Sequence, residues 1–253
     1  MELTHQYVLT PAMSKRLIGQ GLSAHPAIAQ VLKKGTLVII AGTTNAYVAE
    51  EVLKGTGQGE GFARKGFRRG MTVPPGFNLA ALRAEFAGDV ILTDGKYRPG
   101  KTIFDVADTL AVGDVVLKGG NAVNIARRTC AVYIGDRKAG TIGAALGAVV
   151  GRRVRLIVPI GLEKRVIEDI ADLAALVNAP TTKGPGLLPM PGEPYTELDA
   201  IATLTGATAR LLAAGGTCGA EGAVWLGVSG TAEQLDKADT ILGALASEPM
   251  YHQ

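Results

Sequence analysis

The stretch Leu37-Val38-Ile39-Ile40-Ala41-Gly42-Thr43-Thr44-Asn45 decides the fold class of this 253-residue chain. Its first five residues form an unbroken apolar run rich in β-branched side chains, which is typical of a strand buried on both faces of a parallel sheet. The polar turn at 42–45 ends the run, and residues 46–53 predict a helix. A strand, a short turn and a helix in this order predict an α/β fold.

The turn between this strand and this helix is a candidate anion-binding loop. The first N–H groups of a helix have no partner within the helix, and the helix dipole places partial positive charge there. A phosphate or carboxylate suits such a site. Gly42, Thr43, Thr44 and Asn45 are therefore candidate ligand-binding residues. The alternative is that one of the three polar residues serves only as the N-cap of the helix.

Further short apolar segments predict more strands, which alternate with helical segments up to residue 177. The predicted strands are 89–93, 114–117, 131–134 and 153–159, and the predicted helices are 141–150 and 162–177. Such alternation, with glycine-rich turns at the strand ends, predicts an open, mostly parallel, Rossmann-like sheet with helices on both faces.

A proline- and glycine-rich segment follows this region and predicts a domain boundary. Residues 179–194 contain five prolines, and such a composition is typical of a linker. The sequence thus predicts an α/β ligand-binding domain at 1–178 and a small α+β domain at 195–253. A unit of that size buries little apolar surface on its own. We expect it to pack on the first domain or on a second subunit, and we expect a homo-oligomer.

Composition argues against several classes of protein. The net charge of +3 is mild, and a dedicated nucleic-acid binder is expected to carry a strongly basic face. Cys130 and Cys218 are far apart and lack metal-ligand spacing, so neither a metal nor a cofactor is predicted. Apolar stretches are too short for a membrane span, and Glu2 and His5 speak against a signal peptide. We therefore expect a soluble, cytoplasmic protein without a membrane or nucleic-acid partner.

Three polar segments, 42–45, 93–96 and 118–121, each follow a predicted strand and are expected to meet at one edge of the sheet. A carboxylate from Asp94, an ammonium from Lys118 and an N–H-rich turn suit proton transfer on a phosphorylated or carboxylated substrate. We predict Asp94 and Lys118 as catalytic residues. The predicted ligand-binding residues nearby are Gly95, Gly119, Gly120 and Asn121. The alternative is that Lys118 only pairs with Asp94 and orders the loops.

Residues 54–77 form a glycine-rich connection that also carries four basic side chains. Long connections of this kind in compact domains are often lids or binding loops. Closure over an anionic ligand is one interpretation, and a solvated loop is the other. The basic residues are Arg64, Lys65, Arg68 and Arg69.

The three polar segments resemble motifs of the superfamily of ribose-5-phosphate isomerase A, glucosamine-6-phosphate deaminase and CoA transferases. Residues 41–45 are similar to the isomerases' Gly-Thr-Gly-Ser-Thr phosphate loop. Residues 93–96 are similar to the start of their Asp-Gly-Ala-Asp-Glu motif, and residues 116–121 to their Leu-Ile-Lys-Gly-Gly-Gly motif. The resemblance covers residues 35–165 and implies a pocket for a sugar-phosphate-like anion with isomerase-like acid–base chemistry.

Two departures limit what the resemblance implies about the reaction. Lys96-Tyr97-Arg98 follows Gly95 where the isomerases carry a second acidic pair, and Arg127 stands at the position of their catalytic glutamate. The resemblance therefore implies the fold and the ligand pocket rather than the reaction. One alternative is a non-catalytic effector-sensing protein of the same fold. Another is a CoA or acyl transferase-like enzyme, for which Glu163 is the candidate nucleophile.

Overall fold

The computed structural model describes residues 3–69, 72–78 and 88–250, which contain twelve strands and eight α-helices. The strands are β1 (Leu3–Leu9), β2 (Thr36–Ile39), β3 (Val90–Thr93), β4 (Lys96–Tyr97), β5 (Val115–Leu117), β6 (Ala122–Asn124), β7 (Thr129–Ile134), β8 (Arg155–Pro159), β9 (Gly186–Pro189), β10 (Glu193–Tyr195), β11 (Thr208–Ala214) and β12 (Val224–Gly230). The helices are α1 (Pro11–Ser23), α2 (Pro26–Lys33), α3 (Thr43–Gly55), α4 (Ile103–Val106), α5 (Gly140–Leu146), α6 (Ile170–Val177), α7 (Glu197–Thr205) and α8 (Ala232–Ala244).

A mixed six-stranded sheet forms the centre of the molecule, in the order β10-β8-β5-β2-β3-β4. The pairs from β10 to β2 are parallel, whereas β3 is antiparallel to both β2 and β4. The predicted α/β class is confirmed, and most of the sheet is parallel. Its Rossmann-like character is not confirmed. The parallel strands β2, β5, β8 and β10 follow one another across the sheet in chain order, and the neighbour on the other side of β2 is antiparallel.

The apolar run at 37–41 is buried, and its first three residues lie in β2 of this sheet, as predicted. Leu37 and Ile39 belong to one hydrophobic cluster, and Val38 and Ile40 belong to another. Successive residues of a strand point to opposite faces, so both faces of β2 are buried. The first cluster includes apolar residues of α1, α2, α3, α7 and α8. The second includes residues of α4 and α5.

The predicted strand at 131–134 belongs to β7, which lies outside the central sheet. It forms a small antiparallel sheet with β6 and β9. The predicted helix at 162–177 is also shorter than expected, since α6 begins only at Ile170. Residues 162–164 form a single 3-10 turn, after which the Val166 N–H donates to the Val123 carbonyl at 2.9 Å. This bond requires an extended backbone around Val166, so the helix cannot run continuously from 162 to 177.

The last third of the chain is not confirmed as a separate domain. β12 pairs with the N-terminal strand β1 as well as with β11. Leu226 and Leu235 share one hydrophobic cluster with Leu17 of α1 and with residues of the central sheet. The segment predicted as a linker carries β9 and ends in β10, which is parallel to β8 in the central sheet.

No helix within the described ranges combines the length and the apolar character that crossing a bilayer requires.

Candidate functional site

One edge of the central sheet collects the residues of a polar cavity. Because β2, β5, β8 and β10 are parallel, their carboxyl ends lie at the same edge, which we call the ligand edge. A cavity of about 280 Å³ lies there. Its lining residues are Lys15, Ala41, Gly42, Thr43, Thr44, Asn45, Arg69, Thr72, Lys118, Gly119, Gly120, Asn121, Glu163 and Lys164.

The N-terminus of α3 faces this cavity without a side-chain cap. The helix begins at Thr43, its N-cap is Gly42, and no side chain makes a capping hydrogen bond. The interpretation of Thr43, Thr44 or Asn45 as a simple N-cap is therefore wrong. A Cβ atom added to Gly42 would meet no atom within 4 Å. The helix start is thus open on the cavity side, where its first N–H groups suit an anion.

Two cavity residues at the start of α3 carry buried polar atoms. Asn45 is fully buried, and its Nδ2 donates to the Ile40 carbonyl at 2.7 Å and to the Leu117 carbonyl at 3.0 Å. The amide thereby ties the ends of β2 and β5 together. Asn45 Oδ1 and Thr44 Oγ1 are buried and have no hydrogen-bond partner among the described residues. A buried polar atom without a partner is costly to the folded state.

Lys118 lies directly after β5 and is partly buried. Its Nζ donates to the Gly119 carbonyl at 3.3 Å. Within the described residues it has no acidic group within ion-pair distance. Burial, together with the charges of Lys164 and Arg69, lowers the pKa of Lys118 to about 8, while the charge of Asp89 acts in the opposite direction. Such a lysine is suited to bind an anion or to exchange a proton near neutral pH.

Three more cations line the cavity, and each comes from a different part of the chain. Lys164 Nζ donates to the Gly120 carbonyl at 3.1 Å. Lys15 of α1 donates to the Pro11 carbonyl at 3.3 Å and lies 3.9 Å from the Glu163 carboxylate. Together with Arg69 and Lys118, these residues place four basic groups around one small cavity. Glu163 is the one acidic residue among the cavity's described lining residues.

Asp94 does not lie at the ligand edge, so its predicted catalytic pairing with Lys118 is wrong. β3 runs antiparallel to β2, with Thr36 opposite Thr93. The end of β3 therefore lies at the opposite edge from Lys118, separated by the length of a four-residue strand, about 13 Å. There Asp94 Oδ1 accepts a hydrogen bond from the Gly35 N–H at 2.9 Å.

Asp94 and Gly95 form the turn between β3 and β4. Their φ angles are 49° and 73°, and positive φ at both central residues is the signature of a type I′ hairpin turn. An Asp-Gly pair between two short strands is a strong sequence signal for this turn. The Asp94-Gly95 pair therefore indicates a hairpin turn rather than a binding loop. Gly95 is thus placed at the far edge with Asp94, away from the cavity.

Asp89 takes the position at the ligand edge that had been expected of Asp94. It precedes β3, is fully buried, and accepts hydrogen bonds from the Ala41 N–H at 2.9 Å and the Ile103 N–H at 2.8 Å. The Arg69 guanidinium lies 3.3 Å from both of its carboxylate oxygens. Asp89 therefore orders the end of β2 and holds Arg69 beside the cavity.

The predicted ligand-binding residues after Lys118 all line the cavity, but some have clear structural roles. A Cβ atom on Gly120 would lie 2.9 Å from the Ile160 side chain, so a larger residue there would require Ile160 to move. The Asn121 N–H donates to the Ala131 carbonyl, and its Oδ1 accepts from the Tyr133 N–H at 3.1 Å. Gly119 has more space, with its nearest neighbour atom 3.8 Å from a Cβ position.

A second carboxylate, Glu197, lies behind the cavity wall. It is the first residue of α7 and is fully buried, and both of its oxygens accept from the Leu162 N–H at 3.0 and 3.1 Å. Burial and the charge of Glu163 raise the pKa of Glu197 to about 7. Glu163 packs on Gly161 so closely that a Cβ there would overlap its carboxylate, and Glu163 Oε2 has no partner among the described residues.

Replacing Glu197 by glutamine is expected to remove a pH dependence of stability. The folded-state pKa of about 7 is above the ordinary value of about 4.3. The wild type therefore loses stability as the pH rises from about 4.3 to about 7 and above. Between pH 5 and pH 8 the variant should gain on the order of 2 kcal/mol relative to wild type. Urea unfolding at both pH values measures this difference. Glu163→Gln should lose less stability between pH 5 and pH 8 than the wild type, because the charge of Glu163 helps to raise the pKa of Glu197. If Glu197→Gln and the wild type differ in stability by the same amount at both pH values, the raised pKa of Glu197 is wrong.

The arginines of the basic glycine-rich connection at 54–77 have different roles. Arg64 forms ion pairs with Glu50 at 3.3 Å and Glu248 at 2.9 Å, and it stacks over the Tyr47 ring. Arg69 instead reaches the cavity. Arg64 therefore anchors the connection on the protein, and of the predicted lid residues only Arg69 lines the cavity among the described ones. Residues 70 and 71 of this connection lie outside the described residues.

Sequence reasoning missed Lys15, Lys164, Asp89 and Glu197. No local motif marks them, because they reach the ligand edge from separate elements.

The described residues contain no cluster of three or more metal-ligating side chains that could hold a metal ion. No family model, curated protein or solved structure matches this chain. The function is therefore argued from the geometry of the ligand edge.

Proposed function

We propose that this chain binds a small anionic metabolite, with a phosphate or carboxylate group, at the ligand edge. The anionic group lies at the N-terminus of α3, among Lys15, Arg69, Lys118 and Lys164. The observation that carries this proposal is the excess of positive charge, since Lys118 and Lys164 have no acidic partner among the described residues. Partly buried cations without counter-ions are costly, and a bound anion offsets that cost.

The same residues support acid–base chemistry on the bound metabolite. A lysine with a pKa near 8 exchanges protons readily at neutral pH. Asp94 has no part in this chemistry, because it lies at the opposite edge. Glu163 supplies the acidic group of the proposal, because its carboxylate lines the same cavity. The resemblance to the isomerase, deaminase and CoA transferase superfamily agrees with a sugar-phosphate-like metabolite.

The pH dependence of anion binding tests the proposal. Sulfate is a suitable probe because its charge is constant over this pH range. Its affinity should be nearly constant below pH 7 and fall about tenfold between pH 7.5 and pH 9.5, equivalent to about 1.4 kcal/mol. The reason is that Lys118, with its pKa of about 8, loses its charge in this range. Isothermal titration calorimetry at constant ionic strength measures the affinity.

Two outcomes would contradict the proposal. One is the absence of sulfate and phosphate binding at millimolar concentration and low salt. The other is an affinity that stays level from pH 7.5 to pH 9.5, because then Lys118 does not contact the anion. Lys101→Met serves as a control, since this exposed lysine lies outside the cavity, and its pH profile should match that of the wild type.

A further inference from the structure

The anion cavity adjoins a second, larger cavity of about 820 Å³. The two share four lining residues, Arg69, Thr72, Lys118 and Asn121. A molecule with its anionic group at α3 thus reaches the second cavity directly past Lys118. The larger volume lies within the range of about 300–1,000 Å³ that is usual for metabolite and cofactor sites. The first cavity alone lies just below that range.

Apart from the four shared residues, the second cavity is lined mostly by apolar side chains. Val132 and Ile134 lie on the same face of β7, since alternate residues of a strand point the same way. Ile142 of α5 and Phe104 of α4 add to this lining. Phe104 is 58% exposed even though it is a large aromatic residue. An exposed aromatic side chain in a cleft is typical of a ligand contact.

The second cavity combines two basic groups with this apolar lining. Its shared end carries Arg69 and Lys118, and the Arg69 guanidinium lies 5.8 Å from the centre of the Phe104 ring. Its acidic residue, Asp136, is engaged in a local turn, where its Oδ1 accepts from the N–H groups of Lys138 and Gly140. A ligand that is anionic at one end and apolar along its body matches this distribution.

We propose that the ligand is a bipartite molecule, in which the anionic group bound at α3 is joined to an aromatic or apolar body that occupies the second cavity against Phe104, Val132, Ile134 and Ile142. This inference rests on the proposed function, because it takes the α3 site as the place of the anionic group. It keeps the anionic group of the proposed function and replaces the polar, sugar-like body that the resemblance suggests by a flat or apolar one: the ligand is an organic phosphate or carboxylate with such a moiety.

A comparison of inorganic phosphate with 1-naphthyl phosphate tests this inference. Wild type should bind 1-naphthyl phosphate at least tenfold more tightly than phosphate. Phe104→Ala should reduce this preference at least fivefold and leave phosphate affinity within twofold, since Phe104 lies in the second cavity only. Leu176→Ala is the matched control, because Leu176 is also exposed but lies on α6 away from both cavities.

A blocking variant tests the same point without removing a native side chain. A Cβ atom on Gly135 would meet no atom within 4 Å, and Gly135 lines the second cavity. Gly135→Leu should therefore fold normally, abolish the preference for 1-naphthyl phosphate and keep phosphate binding. Circular dichroism and thermal melting check the fold of each variant.

The possible failures are distinguishable. If phosphate binds and 1-naphthyl phosphate binds no better, the bipartite ligand is wrong and the proposed function stands. A preference that survives in both Phe104→Ala and Gly135→Leu also overturns the inference, since the apolar body then contacts another surface. If neither compound binds, the proposed function itself fails.

Discussion

Replacing Arg16 by methionine is expected to lower the free energy of unfolding by about 3–5 kcal/mol. The Arg16 side chain is only 11% exposed, and it joins three carboxylates at 2.6–2.8 Å: Glu50, Glu51 and Glu248. Its guanidinium also lies 4.8 Å from the centre of the Tyr47 ring. The variant would leave three partly buried carboxylates close together, and within the described part of the chain Arg64 would compensate two of them.

The protonation behaviour of this cluster agrees with a strong interaction. Burial alone would lower the pKa of Arg16, but hydrogen bonds to Glu248 and Glu50 outweigh it and raise the pKa. Burial alone would raise the pKa of Glu248, but its bonds to Arg16 and Arg64 lower it. The cluster connects α1, α3 and the turn after α8, so its loss weakens contacts between elements distant in the chain.

Urea unfolding measures the effect without the ionic screening that guanidinium chloride would introduce. Arg155→Met is the matched control, because Arg155 also forms a 2.6 Å ion pair, with Glu193, but both side chains are nearly half exposed. Exposed pairs contribute about 0–1 kcal/mol. If Arg16→Met costs no more than Arg155→Met, the Arg16 cluster does not stabilise the fold as argued.

Replacing Lys118 by methionine is expected to weaken phosphate binding at least tenfold at pH 7, which corresponds to about 1.4 kcal/mol or more. Methionine keeps most of the length of the side chain and removes the charge. Stability should be unchanged or higher at this pH. The folded-state pKa of about 8 lies below the ordinary value of about 10.4. The charged ammonium therefore opposes folding at neutral pH, and wild type regains this stability as pH rises from 8 toward 10.

Calorimetric titration with phosphate and thermal melting measure the two properties together. Asp94→Asn is an informative control, because Asp94 bonds to Gly35 at the opposite edge of the sheet. It should leave phosphate affinity unchanged, and a stability change would reflect the β3–β4 turn. A large loss of stability in Lys118→Met with unchanged affinity would show instead that Lys118 is a structural residue.

Part of this structure was predictable because its signals are local. An apolar run followed by Gly42 and polar residues indicates a buried strand that leads into a helix, and β2 and α3 have this form. The same reasoning placed Lys118 and Gly119 beside the helix start, because β2 and β5 are parallel. The Asp94-Gly95 signal was equally local, and it predicts the hairpin turn that the structure contains.

By itself, then, the sequence determined β2 with its two-faced burial, the polar turn after it and the helix α3, since each depends on residues close together in the chain. Tertiary structure alone decided the direction of β3 and the pairing of β1 with β12. It also decided which charges surround the cavity, bringing Lys15, Asp89, Lys164 and Glu197 to one edge. The hydrophobic effect that assembles distant segments is non-directional. No local sequence pattern therefore indicates which polar side chains come together when distant segments are buried.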